Sequence, residues 1–130
     1  VNDAATLEGL YALNATLLLG HEIDSAYWRE WELFHLPGGI QLFVFLHLLL
    51  LPLVLYGYRE VCRRGARARV ASLLLASIGM GAALLHAAFL LSGDARFTLL
   101  MSVLLLKAIF VVSLLQLIIA LRLPGGAQRA

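Results

Sequence analysis

"LLLGHEIDSAYWREWELFHLPGG", residues 17–39, is the stretch on which the reading of this chain turns. An apolar run gives out at Gly20, and the next fifteen residues, 21–35, carry four carboxylates, two histidines and an arginine. The run that begins near Leu7 is shorter than the roughly 20 residues a helix needs to cross a bilayer. The helix is therefore expected to continue past the membrane edge as an amphipathic segment through "HEIDSAYWREWELF", until Pro37-Gly38-Gly39 stops it.

Working outward, the remaining sequence supplies the medium. The chain is 62% hydrophobic and only 14% charged, too apolar for a soluble domain of 130 residues whose surface must be wetted. Charges fall between apolar runs, as hydrocarbon-spanning helices require. The runs predict one all-α domain over residues 1–130, an integral membrane four-helix up-and-down bundle with spans near 7–24, 40–58, 70–92 and 97–121. Leucine content and run length exclude a β-barrel. Arg59, Arg63, Arg64, Arg67, Arg69, Arg122 and Arg129 fall on one face of this topology, against Arg29 and Arg96 on the other. The positive-inside rule then expects both termini in the cytoplasm of a bacterial inner membrane, with residues 21–39 outside. The arginine run reads as a topology signal, so no nucleic-acid partner is expected. No basic residue precedes the first span, which argues against a cleaved secretory signal. A lone cysteine, Cys62, excludes an intrachain disulfide or a thiolate cluster.

Polar residues inside apolar runs are costly and point to function. At 1.5 Å per residue, His47 lies about 15 Å below the outer end of the second span, and His86 about 9 Å below the same surface. His21 ends the first span there, with Glu22 and Asp24 beside it. Asn14, His21 and Asp24 share one helical stripe, and Ser72, Ala76, Gly79, Ala83 and His86 share another of mostly small residues. Three histidines on three helices are thus expected at one end of the bundle. Neutral imidazole with a carboxylate suits a divalent transition metal such as zinc or iron. The expected ligands are His21, Asp24, His47 and His86, with Glu22 as general base. Haem between His47 and His86 fits less well because their depths differ, and no HExxH, paired HxxxH or CxxCH motif is present.

Plainer readings cover the other polar groups. Trp28, Trp31 and Tyr27 suit the headgroup belt, Glu30 and Glu32 are expected to face water, and His35 reads as interfacial. Lys107 stands deep in the fourth span on the side opposite Gln116, so the two cannot both face the bundle axis.

"HEIDSAYWREWELF", "PGGIQLFVFLHLLLLP" and "HAAFLLSGDARFTLLMSVLL" together resemble an uncharacterised group of small bacterial membrane proteins with a His-Glu-x-Asp motif after the first span. That group is similar in its Glu-Trp pair, here Glu30-Trp31, and in single histidines of the next two spans, here His47 and His86. The resemblance implies a shared polar site and no particular activity. Two functions are compatible with the residues: a metal-binding, enzymatic centre acting on an interfacial or lipid-soluble substrate, or a non-catalytic accessory subunit satisfied by partner membrane chains or by further copies of itself.

Overall fold

The computed structural model describes residues 3–123; Arg129 and the two chain ends, invoked above for orientation, lie outside them. Five helices follow one another: α1 (Asp3–Trp28), α2 (Glu30–Leu33), α3 (Gly39–Cys62), α4 (Ala68–Leu91) and α5 (Leu100–Arg122). No strand occurs among the described residues. Three helices, α3, α4 and α5, are long and apolar enough to cross a membrane, with mean hydropathies of 2.2, 2.0 and 2.6 over their most apolar windows. α1 is longer still, at 26 residues, and carries His21, Glu22 and Asp24 in its second half.

Local chemistry sets the boundaries. Asp3 opens α1, where a carboxylate opposes the positive end of the helix dipole. The helix does not run unbroken to Pro37, because Arg29 adopts a left-handed backbone (φ 56°) that turns the chain before the single turn of α2. After His35 (φ 54°), Gly38 makes a further left-handed turn (φ 88°) into α3, where an added Cβ would press on Leu42. Phe97, expected inside the fourth span, also takes a left-handed conformation (φ 60°), so α5 starts three residues later at Leu100. Within α3, Pro52 sits in the helix interior, where it lacks the N–H that would bond to Leu48.

The four long helices pack in ring order. α1 lies against α5 and α3, α4 lies against α5 and α3, and α1 reaches α4 across the ring. Each presents a narrow inward stripe: Leu7, Tyr11, Asn14, Leu18, His21 and Ser25 on α1, and Ser72, Ala76, Gly79, Ala83 and His86 on α4. Alternating steps of four and three keep such residues on one face. Small side chains on α4 allow close approach, and at Gly79 a Cβ would collide with the Ser113 hydroxyl and crowd Asn14 and Ile109.

The middle of the ring is polar. Asn14 Nδ2 donates to Gln116 Oε1 (2.7 Å), Ser113 Oγ donates to Asn14 Oδ1 (3.2 Å), and Gln116 Nε2 donates to the Ser72 carbonyl (3.2 Å). All four residues are fully buried. The network ties α1, α4 and α5 together one heptad below His21. Gln116 therefore faces inward and Lys107 outward, which settles which of the two points to the axis.

Candidate metal centre at the polar end of the helices

Two inward stripes carry a histidine near the same end of the helices. His21 comes seven residues after Asn14 on α1, and His86 seven after Gly79 on α4, so the packing that brings the stripes together at the polar layer also brings the two rings together. Their centroids are 4.8 Å apart, edge to face at 84°. Phe97 covers both, with centroids 4.2 Å from His86 and 5.7 Å from His21, and its left-handed backbone turns it inward to a nearly fully buried position.

The third member comes from the turn at Arg29. By ending α1, that residue swings Glu30 back over the helix ends, and Glu30 Oε1 lies 3.2 Å from His86 Nε2. The side chains are 2% exposed for His86 and 14% for Glu30. Ligand atoms of His21, Glu30 and His86 all lie within 4.8 Å of one another, a grouping that could hold a metal ion. Burial alone pushes the Glu30 carboxyl up, but the hydrogen bond to His86 and the charge of the neighbouring imidazoles outweigh it and hold the group below its ordinary range. Three nearby polar atoms, His21 Nδ1, His86 Nδ1 and Asp24 Oδ2, are buried without a hydrogen-bond partner. Orphaned groups of this kind are uncommon in folded chains.

Glu22 and His47 form a second unit. Glu22 Oε2 and His47 Nε2 are 2.6 Å apart, and His47 Nδ1 is 2.6 Å from the Phe43 carbonyl oxygen. A carbonyl only accepts, so Nδ1 carries a proton. A carboxylate and a bare Nε2 would both be acceptors, so the short contact between them must hold a further proton, on one atom or the other. The pair thus forms a proton-bearing bridge between α1 and α3.

Of the residues expected as ligands, the structure brings together His21 and His86. His47 is engaged with Glu22, and Asp24 turns toward α5, where Ser102 Oγ donates to its Oδ1 (2.9 Å) and itself accepts from Trp28 Nε1 (3.3 Å). Neither belongs to the group of three. Glu30, expected in water, lies instead against His86 within that group. The only hint of it in the sequence was the Glu-Trp pair; a continuous helical phase could not place it, because the phase is broken at Arg29. His35 is exposed, and Trp31 packs on Phe43 with centroids 5.5 Å apart.

Residues 7–123 match a family described as a family of unknown function (DUF6713). The chain belongs to this family. The matched region contains every residue of both polar units, is consistent with the expectation of an uncharacterised family, and adds no activity to it. Comparison with curated proteins and with solved structures finds no match.

Proposed function

We propose that this DUF6713 chain is a bacterial inner-membrane four-helix up-and-down bundle whose outer end holds a divalent metal, with His21, His86 and Glu30 as ligands. Exposed leucine, isoleucine, valine and phenylalanine side chains along α3, α4 and α5 support the membrane reading, since a surface so apolar has no place in water. The observation that carries the metal reading is the convergence of two buried imidazoles and a carboxylate within 4.8 Å, beside orphaned ring nitrogens. Two histidines and one carboxylate suit iron or zinc and leave coordination positions open. Haem is disfavoured because His47 is occupied by Glu22 and Phe43.

When bound, such an ion would supply Lewis acidity toward an oxygen of an interfacial or lipid-soluble substrate. The chain's own residues would do the rest. Phe97 shields the imidazoles on one side, Asp24 and Ser102 fix the end of α1 against α5, and the Glu22–His47 bridge accepts or returns a proton close to the centre. The test is elemental analysis of the untagged chain in mild detergent after loading with zinc or iron(II) and gel filtration. Stoichiometric metal in the wild type, lost in His21→Ala and His86→Ala, is the expected result. Equal metal in all three would overturn the reading.

A second reading, a non-catalytic accessory subunit, is favoured by one observation: Lys107 is exposed along an apolar helix and has no partner among the described residues. Its test is whether Lys107→Leu releases a protein that co-purifies with the wild type from native membranes.

A further inference from the structure

Between α4 and α5 a groove of about 500 Å³ opens on the outer surface of the ring. That lies within the usual range for pockets that take small molecules, about 300–1,000 Å³. Its walls are aliphatic and aromatic, with Ala87, Leu90, Leu106 and Phe110 among them; the ionisable residues along it are His86, Arg96 and Lys107. Arg96 is already neutralised. It grips Asp94 through Nε (3.1 Å) and a terminal nitrogen (2.8 Å), which holds the Asp94 carboxyl below its ordinary range. Lys107, the only lysine in the chain, has no such partner among the described residues. It follows Leu100, the first residue of α5, by about two turns, or roughly 10 Å. Helical side chains lean toward the N-terminus, so its ammonium is carried toward the Arg96 and Phe97 end of the groove.

We infer that this groove is a binding site for an anionic phospholipid of the surrounding bilayer, its phosphate paired with Lys107 and one acyl chain lying against Leu106 and Phe110. Charge complementarity selects this occupant. A second copy of the chain offers no free counter-charge there: at the polar end Glu22, Asp24, Glu30, Glu32 and Asp94 are engaged with His47, Ser102, His86, Arg29 and Arg96, α4 and α5 contain no carboxylate, and α3 has only Glu60 near its far end. An acidic lipid supplies both the anion and the hydrocarbon, and a long aliphatic stem ending in an ammonium is suited to meet it at the interface. His86 lines the same groove, so the lipid headgroup would lie against one wall of the candidate metal centre. The inference rests on the membrane-embedded reading and does not require the metal.

The test uses the full chain in nanodiscs made from equal parts phosphatidylglycerol and phosphatidylcholine, released into detergent and weighed with bound lipid by native mass spectrometry. Wild type should retain phosphatidylglycerol over phosphatidylcholine by about fivefold, the selectivity expected of one basic side chain near the headgroups. Lys107→Gln should abolish the preference, Ala87→Phe should lower retention of both lipids by filling the groove, and Arg63→Gln, at the opposite end of the chain's helices, should change neither. Unchanged selectivity in Lys107→Gln overturns the proposal, as does a co-purifying protein that only Lys107→Gln releases. Recovery of the chain as a soluble protein without detergent would overturn the membrane reading as well, so the two failures are distinguishable.

Discussion

Replacing Gln116 with leucine should cost far more than its loss of polarity suggests. Gln116 accepts from Asn14 at 2.7 Å and donates to the Ser72 carbonyl at 3.2 Å, at a position with no exposure. Leucine occupies similar space, so packing changes little. The substitution removes two hydrogen bonds of about 1 kcal/mol net each, and it strands the Asn14 amide, whose desolvation is then uncompensated at about 1–3 kcal/mol. The expected destabilisation is about 3–5 kcal/mol, read by reversible denaturation in mixed detergent. In the Asn14→Ala background the stranded donor is gone, and Gln116→Leu should cost less. Measured couplings between polar groups inside membrane bundles average about 0.6 kcal/mol and reach about 1.7. We expect the upper end, because both amide groups are fully buried and their bond is short. Strict additivity of the two substitutions would refute the argument, since it would mean that the Asn14 amide is satisfied by something other than Gln116.

Other outcomes follow from the same structure. Glu30→Gln should keep the turn at Arg29 but weaken zinc retention by at least tenfold in equilibrium dialysis, because the carboxylate's charge is removed and its shape is not. Chelator added to metal-loaded wild type should lower its thermal midpoint in detergent, whereas His86→Ala should not respond. Gly79→Ala should destabilise the chain by about 1–3 kcal/mol, because its Cβ meets Ser113 and Asn14 inside the polar layer. The companion change Ser113→Ala, which removes the colliding hydroxyl, should recover part of that loss in the same denaturation assay.

Periodicity brought out the two histidine stripes and missed Glu30 for a definite reason. The stripes Asn14–His21 and Ser72–His86 could be traced by steps of three and four because both lie within uninterrupted helices, where side-chain direction follows from residue number. The same arithmetic showed that Lys107 and Gln116 must face opposite ways, but not which faced inward; that was decided by contacts with Asn14 and Ser72, which are remote in sequence. Glu30 escaped because a single non-glycine residue, Arg29, leaves the helical region of backbone space without proline or glycine to announce it. Tyr58, eleven residues after His47 on α3, meets Tyr11 with ring centroids 6.1 Å apart and takes no part in the polar site.

The left-handed residue at Arg29 puts the third ligand of the proposed centre on a separate element from the two histidines. His21 and His86 are set in helices of 26 and 24 residues that are fixed by packing along their length, whereas Glu30 rides on a single four-residue turn that is anchored to α3 through Trp31 and Phe43. In the proposed centre, whatever lifts that short segment, whether bilayer thickness, headgroup crowding or a detergent rim, would withdraw the carboxylate without disturbing the two imidazoles. Affinity for the ion would then be a property of the membrane surface as much as of the polypeptide, and the same chain would hold metal differently in a thick bilayer and in a small micelle.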